Sequence, residues 1–85
     1  MRSNMVVSVN FCGLQRKVTQ TDNILISLKK AKRVADVVAH IRKCYPDLPL
    51  SEDVVLVTVN NQISTMDQML KAHDRISLIP HIGGG

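Results

Sequence analysis

The sequence predicts an α+β fold, a mixed sheet of four to five strands packed on one main helix. Two observations predict it. Apolar residues repeat every second position from Met5 to Phe11 and again from Ile24 to Leu28, switch to helical spacing from Val34 to Tyr45, and return to strand-like runs up to Ile79. There are no repeats and no linkers, so 85 residues allow one domain and one modest core.

The first strand is Met5-Val6-Val7-Ser8-Val9-Asn10-Phe11, with Met5, Val7, Val9 and Phe11 on one face. Cys12 to Lys17 loses the alternation and contains Gly13, which predicts a loop or turn. Asn23 opens a second strand running to Lys29, in which Ile24, Ile26 and Leu28 share a face. The two strands are expected to pair antiparallel, with the first central in the sheet. Val34, Val37, Val38, Ile41 and Tyr45 form the apolar stripe of a helix. Asp36 in its first turn and Arg42 and Lys43 in its last suit the helix dipole, and Pro46 stops it. Its start carries no Ser, Thr, Asp or Asn cap, and Lys29, Lys30, Lys32 and Arg33 crowd it.

Asp47 to Asp53 is a loop, and Val54 to Val59 a β-branched strand. Asn60-Asn61 is a turn, followed by a short edge strand from Gln62 to Ser64. Thr65 to Leu70 is expected to hold one helical turn with Met66, Met69 and Leu70 inward. Lys71 to Asp74 turns into the last strand, Arg75 to Ile79, and Pro80, lacking an N–H, ends its regular pairing. The expected core sets Val37, Val38 and Ile41 on Val7, Val9, Ile24, Ile26, Leu56 and Ile76.

A 45% share of hydrophobic and 21% of charged residues is too apolar for a disordered chain. No apolar run approaches the ~18 residues of a membrane span. Met1 to Asn4 lead straight into a strand interrupted by Ser8 and Asn10, which argues against a signal peptide. Cys12 and Cys44 lack CxxC spacing and read as reduced thiols of a cytoplasmic protein, although two cysteines leave a pair open. The net charge of +4 suits nucleic acid, an anionic surface or an acidic protein. Phe11 and Tyr45 are the only aromatic residues, which argues against single-strand nucleic acid.

The chain divides into a domain, residues 1–80, and a flexible tail, residues 81–85. His81-Ile82-Gly83-Gly84-Gly85 extends to roughly 16–18 Å at about 3.3–3.6 Å per residue. Glycine without Cβ lets such a strip lie where a side chain would clash, so it suits delivery of the Gly85 α-carboxylate into a narrow site. The alternatives are a frayed terminus and a cloning scar.

Two strands, a helix, then further strands ending in Gly84-Gly85 form the β-grasp pattern of ubiquitin-like proteins. Val59-Asn60-Asn61-Gln62-Ile63 fits a strand-end "VN" turn. Asp74-Arg75-Ile76-Ser77-Leu78-Ile79-Pro80 fits a "GD-x-V-x-h-x-P" run, and the helix from Val34 to Tyr45-Pro46 fits as well. On these residues the chain resembles the MoaD/ThiS sulfur-carrier family, in particular carriers of the molybdopterin synthase small-subunit kind. His73 stands where the family usually has glycine, so that turn either avoids positive φ or strains a non-glycine.

The resemblance implies that Gly85 is adenylated at its carboxylate and converted to a thiocarboxylate for sulfur transfer in molybdopterin (molybdenum or tungsten cofactor) biosynthesis. It implies an ATP-dependent adenylyltransferase of the ubiquitin-activating type (MoaB/ThiF-like or MoeB-like) and a sulfur-accepting enzyme such as a molybdopterin synthase large subunit. No cofactor would be bound, ATP being used by the partner, and the carrier would have no catalytic side chain. A ubiquitin-like modifier conjugated through Gly85, a ThiS-type thiamine carrier, and a small basic binding domain with an incidental tail are the alternatives.

Partner contact is expected along Ile79, Pro80, His81, Ile82, Gly83 and Gly84, with Phe11, Leu14 and Ile79 as an apolar docking patch. Alternation with Val9 equally makes Phe11 a core residue. Arg16 and Lys17, with the cluster from Lys29 to Arg33, offer a surface to an acidic partner or simply a solvated face. His40 and Cys44 lie four apart on the helix, but two ligands do not make a zinc site, so no metal is expected.

Overall fold

The computed structural model describes residues 5–29, 32–50 and 55–80. The alternating segments become strands β1 (Met5–Phe11), β2 (Asn23–Leu28), β3 (Val55–Val59), β4 (Gln62–Ile63) and β5 (Arg75–Pro80). Helix α1 (Gln15–Thr19) lies between β1 and β2, and α2 (Val34–Cys44) between β2 and β3. The five strands make one sheet in the order β2-β1-β5-β3-β4. Strands β1 and β5 run parallel, from Ser8 opposite Arg75 to Phe11 opposite Leu78, and the other pairings are antiparallel. This is a β-grasp. The central position belongs not to β1, as the sequence suggested, but to β5, the last strand, which pairs with β1 on one side and β3 on the other; β1 lies next to it, inside β2.

The core lies between α2 and one face of the sheet. Val34, Val37, Val38 and Ile41 on the helix and Val7, Val9, Ile26, Ile76 and Leu78 on the strands are buried in one cluster. Fully burying such a side chain stabilises the fold by roughly 1.5–3 kcal/mol. Ile24 packs against the cluster only partly buried. Leu56 is not in it: the two-residue period puts Val55, Val57 and Val59 on the core side and turns Leu56, opposite Ile79, to the other face.

Two segments depart from their expected form. Cys12 to Lys17 is not all loop, since Gln15 begins α1. The Gln15 side chain is buried, and its Oε1 accepts a 2.9 Å hydrogen bond from Cys12 N–H. This polar anchor leaves no apolar period to read.

The segment from Thr65 to Leu70 is not a helical turn. Leu70 is buried and Met66 half-buried, but Met69 is 47% exposed. The backbone is drawn instead to the start of α2. Val34 N–H donates to Gln68 O at 3.0 Å, Ala35 N–H to Met66 O at 2.9 Å, and Leu70 N–H to Lys32 O at 2.8 Å. The Asp36 carboxylate accepts a further bond from Arg33 N–H at 2.9 Å. Two orphan donors of the first turn, Val34 and Ala35 N–H, are thus satisfied by a distant loop, while Asp36 accepts from Arg33, together making good the missing cap side chain.

At the β3–β4 connection, Asn60 and Asn61 have φ of 53° and 71°, the left-handed pair that a two-residue hairpin demands. His73 has φ of 71°, so it adopts the strained conformation in place of glycine.

Two stability predictions follow from this packing. Ile41→Ala should cost about 2–5 kcal/mol in denaturant unfolding, because Ile41 has no exposed surface. His73→Gly relieves left-handed strain of roughly 1–2 kcal/mol and adds about 0.5–1 kcal/mol of chain entropy to the unfolded state. The midpoint of unfolding should therefore rise, by the equivalent of roughly 0.5–1 kcal/mol.

Candidate functional site

The site begins at the entry to β5, where the two motif residues Asn60 and Asp74 meet. Asn60 Nδ2 donates to Asp74 Oδ1 at 2.9 Å, and Asp74 Oδ2 accepts from Lys71 N–H at 2.7 Å. Arg75 N–H donates to Asn60 Oδ1 at 2.9 Å, and Asn60 N–H to Arg75 O at 2.7 Å. Ser8 N–H reaches Asp74 O at 3.0 Å, and His73 N–H reaches Val6 O at 2.8 Å. The 8%-exposed Asp74 therefore ties the β3–β4 hairpin, the preceding turn and β1 to one point. Charge-assisted bonds to backbone N–H groups are among the stronger ones available to a side chain. They set the register in which β5 starts and so fix where it ends.

The strand ends at Pro80, which pairs with Val55 of β3 and lies beyond the last β1 partner, Phe11 opposite Leu78. Beside Pro80 is an open apolar hollow of about 330 Å³ lined by Leu14, Gln15, Val18, Leu48, Pro49, Val55 and Pro80. Leu14 is 74% exposed at its rim. Val18, Leu48 and Pro49 were not foreseen as site residues. Val18 carried one faint signal, its position four residues after Leu14, which a helix turns into adjacency. Leu48 and Pro49 reach the hollow through the path of the loop, for which sequence has no period.

The expected patch of Phe11, Leu14 and Ile79 does not assemble. Phe11 is 4% exposed, in the core, and meets the Tyr45 ring edge-on at 5.9 Å between centroids. Its alternation with Val9 carries it inward. Leu14 stands at the hollow, whereas Ile79, 37% exposed, lies opposite Leu56 on the other face of the sheet. His81, Ile82, Gly83, Gly84 and Gly85 lie outside the described residues.

The basic residues are likewise divided. Leu28, which precedes Lys29, pairs with Met5 at the opposite end of β1 from Phe11, while Arg16 and Lys17 sit on α1 just past Phe11. Arg16 Nη1 lies 3.4 Å from Asp22 Oδ1, an exposed ion pair that adds little stability. Cys12 and Cys44 are free thiols. No described helix is long and apolar enough to cross a membrane.

The model of the ThiS family matches residues 9–85. No curated protein matches the sequence. Among solved structures, a Pyrococcus furiosus protein carrying the name molybdopterin converting factor, subunit 1, superposes with a TM-score of 0.82 at 24% identity, over 92% of this chain and 99% of that one. The small archaeal modifier protein 1 of Methanosarcina acetivorans gives 0.77 at 20% identity, over 96% and 98%. A chain of the complex of subunits 1 and 2 of molybdopterin-converting factor from Helicobacter pylori gives 0.65 at 27% identity, over 95% and 100%.

Removing the Asp74 carboxylate tests the anchor. Asp74→Ala leaves Asn60 Nδ2 and Lys71 N–H without their acceptor and should cost about 1–3 kcal/mol in unfolding free energy. Amide hydrogen exchange should rise first at Ser8, Asn60 and Arg75, whose N–H groups bond at this junction.

Proposed function

The chain belongs to the ThiS family, and we propose that it is a sulfur carrier for molybdopterin (molybdenum or tungsten cofactor) biosynthesis. In this reading the Gly85 carboxylate is adenylated by a partner of the ubiquitin-activating type, using ATP. The outer sulfur of a persulfide on the sulfur donor then displaces AMP to give an acyl disulfide, and a second thiol attacks the donor's sulfur of that S–S bond, leaving a disulfide on the donor side and a thiocarboxylate on Gly85 for an acceptor enzyme. As a ThiS/MoaD-family protein the chain is a carrier and not a catalyst; the modifier role is the second reading within the same fold. One observation carries the proposal: the family match runs through Gly85, the residue whose carboxylate the chemistry needs. The Helicobacter pylori complex, at 27% identity, supports the choice of pathway and of a large-subunit acceptor.

The physical logic supports the same reading. A carboxylate is a poor electrophile; its oxygen attacks the α-phosphate of ATP, pyrophosphate leaves, and the carbonyl then carries AMP as a leaving group. The partner supplies the nucleotide site and the preorganised dipoles around the carbonyl. The carrier supplies position. Strand β5, paired on both sides, is a rigid root from which residues 81–85 reach the partner's reaction centre, and the hollow beside Pro80 offers apolar surface for docking at that root. A cytoplasmic location suits the free thiols and the need for ATP.

Incubation with ATP, a cognate activating enzyme and a sulfur donor should replace one oxygen of the C-terminal peptide by sulfur in intact-mass spectra. Removing Gly85 shortens an extended tail by about 3.3–3.6 Å, beyond the tolerance of near-attack geometry, and should abolish transfer. Full-rate thiocarboxylation of the truncated chain overturns the carrier reading. Native material linked through Gly85 to lysines favours the modifier instead.

Leu14→Asp should keep its unfolding free energy within about 0.5 kcal/mol, since Leu14 is exposed. The same substitution should lower kcat/KM for adenylation by roughly 10–100-fold if the partner buries Leu14, which corresponds to about 1.5–3 kcal/mol of lost burial.

A further inference from the structure

Strand β5 ends at the rim of the apolar hollow, and the chain continues from there. Ile76 and Leu78 have no exposed surface, so the even positions of β5 face the core side of the sheet. Pro80 keeps that parity: it pairs with the buried Val55, and both line the hollow. Two residues further, the same period returns Ile82 to the hollow's side, about 6.6–7.2 Å beyond Pro80 in an extended chain. Ile82 is the one apolar side chain among residues 81–85, and the glycines after it have none to offer.

The hollow matches such a side chain. Leu14 and Val18 are 74% and 41% exposed along its wall, four residues apart, and no described residue covers them. Gln15, its one polar lining side chain among the described residues, has its Oε1 engaged by Cys12 N–H at 2.9 Å. An apolar cavity of about 150 Å³ takes up a benzene molecule. This hollow, of about 330 Å³, has room for a branched aliphatic side chain.

We propose that Ile82 seats in this hollow in the free chain and latches the tail to the domain, with Leu14 and Val18 as its contacts. His81 spans the short step from Pro80 to the seat, and only the residues after Ile82 stay free. Apolar burial drives the seating. One side chain buried against two residues ordered makes the latch reversible. The latch is a property of the free chain and does not need the carrier reading. Under that reading, a partner that draws out the tail empties the hollow in the same step.

The test is NMR on the full chain carrying ¹³C-labelled Ile, Leu and Val methyl groups. NOEs are expected from the Ile82 methyls to those of Leu14 and Val18. Backbone order parameters should stay above about 0.6 at Ile82 and fall below it at Gly84. Ile82→Ser should shift the Leu14 and Val18 methyl resonances, release the backbone at that position, and leave the methyls of Ile41 and Ile76 unmoved. Leu14→Ser, at an exposed position, should free the tail likewise. Leu25→Ser, equally exposed but on β2, should leave the Ile82 contacts intact. An Ile82 as mobile as Gly84, or NOEs from it to Leu56 and Ile79 on the other face of the sheet, overturns the proposal. So do contacts found only between differently labelled chains, which would assign the hollow to the tail of a second copy.

Discussion

The fold depends on the last strand taking the middle of the sheet. Until β5 inserts between β1 and β3, the sheet is two separate hairpin-like pieces, and neither buries Ile76 or Leu78. The pairing of Ser8 with Arg75 spans most of the chain, so its loop-closure entropy must be met before burial can compensate. The Asp74 junction is the physical answer to that cost. Its bonds act at the first residues of β5 and align the strand with the β3–β4 hairpin and with β1 together. A small carboxylate, almost fully buried and fully partnered, thereby specifies the register of a five-stranded sheet.

The same arrangement suits the proposed carrier role. A tail on an edge strand would share the edge's freedom. Here Pro80 ends a strand that is paired on both sides from Ile76 to Leu78, and Pro80 itself still pairs with Val55. The sheet thus supplies a fixed origin, and the proposed glycine-rich delivery arm adds reach without bulk. The apolar hollow lies at that origin and not at a distant edge, so a docking partner and the root of the tail share one end of the molecule.

Helix α2 is stabilised twice from outside itself. Its inner face is held by the sheet, and its first turn by carbonyls from the 66–68 stretch. Its outer face is thereby released from structural duty.

The sequence by itself determined the strands, the main helix and the helix–sheet core, because period two and period 3.6 are local consequences of backbone geometry. Val7, Val9, Val37, Val38, Ile41 and Ile76 could be placed from spacing alone. The Asn60-Asn61 turn was equally legible, since few residues accept its left-handed backbone. Tertiary structure alone decided what depends on meetings between distant residues. It capped α2 with a loop more than thirty residues away in sequence and exposed Met69 in doing so. It anchored α1 through a buried glutamine and sent Phe11 into the core, with Leu14 and Ile79 parted onto different faces. Periodicity reports which side of an element is apolar. It is silent on which other element will lie against that side, because loop paths and long-range hydrogen bonds follow no repeat.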